Sequence, residues 1–311
     1  MNDAVWVLTI AAAVSAGTPL VFAATGEILA ERSGVLNLGV EGMMLLGAVT
    51  AFLAAASGNP VVGLVAGTLA GGGLAAVHAF LSVTMRANQI VSGLALVIFG
   101  TGLATFLGNP IEGDPLGPGV SDLRIPLLAD IPIVGRILFD QDPLVYVSWV
   151  VVGLAAFYLM RTRTGLALRA CGESPETADA MGLSVARLRY AHVIVGGLLA
   201  GAGGAYQILA RVPSWNGAGT TAGIGWIALA LVVFAAWRPW RVLLGAYLFG
   251  VALAANFALQ AAGVDIIPAE FLSMLPYLLT ILVLIALSAS SARKRLGAPA
   301  ALGVPYAREE R

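Results

Sequence analysis

The chain has 311 residues, of which 59% are hydrophobic and only 11% charged, and its mean hydropathy is +0.90. A soluble protein carries about 25% charged residues, so a surface wholly facing water is excluded. Seventeen basic against seventeen acidic side chains leave no net charge to draw nucleic acid, and a single cysteine, Cys171, excludes a disulfide framework and a Cys-based zinc cluster.

Crossing a membrane takes about 20 largely apolar residues. Nine stretches qualify, at about 4–25, 35–57, 60–84, 88–108, 143–160, 190–210, 222–237, 241–261 and 271–289. The stretch from Val61 to Val83 is apolar on every side, unlike the alternating strands of an outer-membrane barrel. The expected fold is therefore an all-α polytopic membrane protein with about nine transmembrane helices (8–10) over residues 1–290 and a disordered tail over 291–311. The first stretch begins Met-Asn-Asp without a basic leader and is longer than a signal-peptide core, so it is expected to stay.

Along the chain, the second stretch carries Asn37 and Glu41, one helical turn apart. No Lys or Arg is placed to pair with Glu41; Arg32 lies nine residues upstream. The third carries Gly63, Gly67 and Gly71, and the sixth Gly197 and Gly201, spacings that let helix backbones approach closely. Asn88 and Ser92 open the fourth, which continues with Thr101, Thr105 and Asn109. Asn256 and Gln260 share a face of the eighth. Polar residues within spans either join helices or line a water-accessible path. Asn37, Glu41, Asn88, Ser92, Thr101, Thr105, Trp226, Asn256 and Gln260 are the candidates for such a path. The seventh stretch is short for a crossing and follows Gly217, Gly219 and Gly223, as broken spans at transport sites do; residues 34–48 have a similar glycine-rich entrance. His78 and His192 have no metal-ligating or catalytic neighbours in sequence and read as packing residues.

Two hydrophilic loops remain. Residues 109–142 are acidic and rich in Gly and Pro, with apolar pieces at 123–128 and 131–139 suited to lie on a membrane surface. Residues 161–189 contain a helix start. Ser174 is the N-cap, Pro175 the first helical residue, Glu176 and Asp179 the first-turn acids, and Gly182 the stop, which predicts a helix over 175–181. So short a helix needs a partner to pack on. With the N-terminus outside and the C-terminus in the cytoplasm, fourteen basic residues fall inside and three outside, and the acidic loop is exported. The only lysine, Lys294, is not in a phosphate-binding loop, so the chain has no ATPase motif of its own. No residue cluster suits an enzyme.

Four passages bring these signals together. Residues 26–48 read GEILAERSGVLNLGVEGMMLLGA and residues 86–95 read RANQIVSGLA. Residues 161–182 read RTRTGLALRACGESPETADAMG and residues 217–234 read GAGTTAGIGWIALALVVF. The chain resembles the inner-membrane permeases of ABC importers for branched-chain amino acids, simple sugars and nucleosides, with purine-nucleoside permeases nearest. The resemblance implies a permease subunit forming part of a solute path. It further implies separate ABC ATPase subunits that bind ATP and Mg, with no cofactor on this chain. A second related permease, an external solute-binding protein or lipoprotein, and a bacterial inner-membrane location complete the implied system. By the same resemblance Gly172, Glu173, Ser174, Pro175, Glu176, Ala178, Asp179, Ala180 and Gly182 belong to the segment that couples to the ATPase. Ile224, Ala235 and Ala236 depart from the nucleoside pattern, which suits the specialised member of a heterodimer. A sugar or branched-chain amino-acid permease and a stand-alone secondary transporter are the rival readings.

Overall fold

The computed structural model describes residues 2–117, 119–261, 271, 274–289 and 297–308. It is a bundle of helices: α1 (Asn2–Arg32), α2 (Val40–Ala55), α3 (Pro60–Ala79), α4 (Gln89–Gly108), α5 (Val134–Leu138), α6 (Pro143–Arg161), α7 (Arg163–Glu173), α8 (Pro175–Ala180), α9 (Val185–Tyr206), α10 (Ile224–Phe234), α11 (Pro239–Ala261) and α12 (Leu275–Ala289). Wider π-type turns extend α3 over Phe80–Thr84 and α9 over Gln207–Arg211. Six helical segments among the described residues are long and apolar enough to cross a membrane, and Val40–Ala55 and Pro239–Ala255 are shorter apolar helices.

Local chemistry sets the starts. Asn59 accepts from the Val61 N–H ahead of α3, Asn88 from Ile90 and Val91 ahead of α4, and Asp142 from Leu144 and Val145 ahead of α6. Proline takes the first position of α3 and α6, where no N–H is needed.

The glycine spacings read in the sequence meet each other. A methyl group added at Gly71 would lie 2.5 Å from the Gly197 carbonyl oxygen and 2.6 Å from the Gly201 Cα, so α3 and α9 touch backbone to backbone. The same methyl at Gly47 would lie 2.6 Å from the Gly201 carbonyl oxygen, bringing α2 into the seam. Around it α1 and α11 close the core, with Leu20, Ile28, Met43, Met44 and Phe249 fully buried.

Three expectations change. First, α1 runs to Arg32 and not to residue 25, which places Glu27 and Glu31 inside the bundle, both buried. Second, the stretch at 35–57 is not one helix. The chain bends at Gly34 (φ +90°), runs non-helical to Asn37 and enters α2 only at Val40. Third, the tail expected to be disordered has a place: Ala301 donates to the Gly172 carbonyl, Gly303 to the Gly34 carbonyl, and Arg308 pairs with Asp179 at 3.3 Å. Residues 291–296 lie outside the described set.

The loops sort to two ends. The 33–39 bend, the π-turn after α3, α7, α8, the turn before α11 and the tail share an arginine-rich end. The acidic loop sits at the other, tied to the α9–α10 connection by backbone bonds Gly113 to Trp215 and Leu116 to Pro213, and to the π-turn of α9 by Val120 to Leu209. Within that loop the two-residue strands β1 (Leu123–Arg124) and β2 (Asp140–Gln141) pair antiparallel.

Candidate functional site

Two apolar helices, α2 and α10, both begin at buried residues inside the bundle, and one side chain joins them. Glu41, in the first turn of α2 and 8% exposed, accepts from the Thr221 hydroxyl (2.6 Å) and from the Gly223 (3.2 Å) and Gly225 (2.7 Å) N–H groups. Its carboxylate therefore caps α10, at the end where a helix dipole favours negative charge. Gly223 must be glycine here: its φ is +81°, and a Cβ would lie 2.5 Å from the Tyr277 hydroxyl. Among the described residues no Lys or Arg pairs with Glu41; the Thr221 hydroxyl and two backbone N–H groups hold it instead.

The entrance to α2 is held the same way. Glu27 accepts from the Asn37 N–H (3.1 Å) and the Asn37 amide (3.3 Å), while the Asn37 oxygen accepts from Gly39. His78 meets the Ser92 hydroxyl at 3.1 Å and the Leu36 carbonyl at 3.0 Å, and Leu36 donates to Gln89. Glu31 accepts from the Trp237 indole, and Arg32 donates to the Trp237 carbonyl. Sequence reasoning missed Glu27, Glu31 and Trp237. The signal was the one-turn spacing of the two acids at the end of an apolar run.

Beside the junction lies a cavity of about 570 Å³ between the π-turn of α9, the start of α10, α11 and α12. Gln207, Asn216 and Thr220 contribute polar groups, and Ile224, Ile227 and Leu253 apolar walls.

The structure thus brings Asn37, Glu41 and Ser92 into the buried network around the α2 entrance. It does not bring the other candidates there. Asn88 is an exposed N-cap; Thr101 is half-buried, and Thr105 is exposed on the outer side of α4. Trp226 is 38% exposed on α10. Asn256 and Gln260 fall in the last turns of α11, and their side chains lie outside the described residues.

At the arginine-rich end, α8 is built as its sequence requires. The Ser174 hydroxyl accepts from the Thr177 N–H (3.3 Å) and Pro175 opens the helix. Gly182 (φ +84°) and Leu183 return their N–H groups to Asp179 and Ala178, the paired bonds of a glycine helix stop. Pro175 and Ala178 face inward, whereas Glu176, Ala180, Met181 and Gly182 are exposed or half-buried. Ahead of it, α7 was not foreseen as a helix. Thr162 caps it, and Gly165, Leu168, Cys171 and Gly172 form its buried stripe. Glu173 is exposed beside the tail, accepting from the Ala300 N–H at 3.4 Å. A cleft of about 470 Å³ separates α8 from the end of α3 and is lined by Arg86, Asp179, Gly182, Tyr306 and Arg308. Among the described residues no group of three His, Cys, Asp or Glu side chains is placed to hold a metal.

A family model described as the branched-chain amino acid transport system permease component matches residues 9–284. This chain belongs to that permease family. The permease is 41% identical to a putative glucose ABC transporter permease protein of Haloferax volcanii, over 96% of this chain and 97% of the relative. It is 37% identical to a nucleoside ABC transporter permease protein of Lactococcus lactis, over 86% and 88%. It is 35% identical to a guanosine ABC transporter permease protein of Bacillus subtilis, over 94% of each. No solved structure matches. The permease is thus an ABC transporter component of multi-pass membrane type, not an enzyme.

Proposed function

We propose that this permease is one of two different membrane chains of an ATP-driven nucleoside importer in the bacterial inner membrane. It crosses the membrane nine times, with the N-terminus outside and the C-terminus in the cytoplasm. It binds no cofactor; ATP and Mg belong to ATPase subunits that dock at the arginine-rich end, and a binding protein or lipoprotein delivers solute at the acidic-loop end. The observation that carries the nucleoside assignment is the similarity, at 37% and 35% identity over most of the chain, to permeases of nucleosides and guanosine. Two chains are favoured because Bacillus subtilis and Haloferax volcanii each supply two related permease proteins named for one solute, one at 35% or 41% identity and one at 25% or 26%. The outward Thr105 and Asn109, costly against lipid, are then covered by the second chain.

Mechanically, the Ala180-Met181-Gly182 corner of α8 is the contact for the ATPase. Movement there passes through α7 and the tail to the Gly34 bend and α2, and so to the Glu41 cap. ATP binding biases one of two arrangements only through contacts that differ between them. A glucose permease is the second reading, favoured by the 41% relative. Uptake assays on the assembled transporter with labelled guanosine, ribose, glucose and leucine separate these. Guanosine uptake that excess guanosine alone competes away supports the assignment, and uptake of glucose or leucine only overturns it.

A further inference from the structure

On one flank of the bundle α6 and α9 part to leave a groove of about 500 Å³. Both helices pack on α1, and Leu29 of α1 forms the floor between them. Val151 and Leu154 make one wall, Val195 and Leu199 the other. The two polar side chains in the groove satisfy each other. His192 Nδ1 lies 2.7 Å from the Leu188 carbonyl, which can only accept, so Nδ1 carries the proton and Nε2 accepts from the Tyr158 hydroxyl at 2.8 Å. The surface left to an occupant is almost wholly hydrocarbon, which suits an alkyl chain and not a polar solute.

The arginine-rich end of the groove differs. Arg161 lies one turn beyond Tyr158 on α6, and Arg187 one turn before Ala191 on α9, so each continues a groove-lining face. Both are exposed, and among the described residues neither makes an ion pair. The rise along α9 from Arg187 to Leu199 is about 18 Å, close to the roughly 15 Å of one hydrocarbon leaflet. Helix α4, whose outward Thr105 is given to the second permease above, packs on α2 and α3, whereas α6 packs on α1 and α11, so the groove opens on another flank.

We propose that this groove holds one anionic phospholipid from the leaflet at the arginine-rich end, with an acyl chain between α6 and α9 and the phosphate between Arg161 and Arg187. Charge complementarity selects the occupant. An apolar recess that ends in two cations matches a hydrocarbon chain that ends in an anion, and arginine donates in pairs to phosphate oxygens.

The test is native mass spectrometry of the full-length permease, purified in detergent, stripped of lipid and titrated with phosphatidylglycerol or phosphatidylcholine. The wild type is expected to bind one phosphatidylglycerol about tenfold more tightly than phosphatidylcholine. Arg161→Gln combined with Arg187→Gln is expected to bring that ratio close to one. Ala191→Trp, at an exposed position that lines the groove, is expected to remove the tight site for both lipids. Equal binding of the two lipids by the wild type, or an unchanged ratio in the double variant, overturns the headgroup contact; tight binding that survives Ala191→Trp overturns the groove. A benzophenone side chain introduced at Val195 keeps the proposal falsifiable if a variant fails to fold. In the native membrane it is expected to crosslink to phospholipid, and crosslinking to the second permease chain instead overturns the lipid assignment.

Discussion

A carboxylate taken out of water is costly unless it is hydrogen-bonded, so Glu41, buried at the start of α2, persists only with strong partners. It has three, the Thr221 hydroxyl and the N–H groups of Gly223 and Gly225. Glu41→Ala strands all three donors inside the bundle and is predicted to destabilise the protein by about 3 kcal/mol; Thr221→Val removes one donor and costs about 1 kcal/mol. Unfolding of the purified variants in detergent checks this order, and a Glu41→Ala protein as stable as wild type contradicts the cap. Cys171 makes a second residue-scale test. It is fully buried on α7, and burial pushes its thiol above the usual cysteine range. Raising the pKa lowers the thiolate fraction at neutral pH, and the thiolate is the reactive form. The intact protein should therefore stay unmodified by a maleimide under conditions that fully label the unfolded chain; rapid labelling of both contradicts the placement of α7.

Helix against helix, the seam of α3, α2 and α9 depends on missing side chains. Gly201→Leu forces a side chain into the backbone of Gly67 and Gly71 and is predicted to cost about 1–3 kcal/mol or more. At Gly73, on the same α3, an added methyl group would meet nothing within 4 Å, so Gly73→Leu should be nearly neutral. Equal losses in the two variants would argue against the seam. This much was legible in the sequence, because four-residue glycine spacing has one physical use in an apolar helix. The starts of α3 and α4 were legible too, since the apolar runs read from 60 and 88 begin within a residue of Pro60 and Gln89. The depth of α1 was not: Glu27 and Glu31 look like a boundary until Asn37 and Trp237, distant in sequence, are found bonded to them. The break ahead of α2 was hidden for a similar reason, because an apolar run from 35 to 57 reads the same whether its first residues wind or stretch. For α8, Ala180→Arg places a charge on the outer corner, and uptake by the assembled transporter should fall at least about tenfold with membrane insertion unchanged. Full ATP-coupled uptake in that variant removes α8 from the contact.

Across the whole molecule, a bundle sealed by glycine seams contains two helices that start inside it, and its arginine-rich end ties α7, α8, the tail and the Gly34 bend into one unit. Such a body has a route from its surface to its interior but no ATPase motif of its own, in keeping with the permease family to which it belongs. The solute was less legible than the class, because glucose and nucleoside relatives share most of the chain at similar identity. The most direct measurement is guanosine accumulation in proteoliposomes containing the two permease chains and the solute-binding protein, with and without the ATPase subunits and ATP. Accumulation only when ATPase and ATP are both present is the predicted result. Accumulation by the membrane chains alone, driven by an ion gradient and indifferent to ATP, would contradict the account.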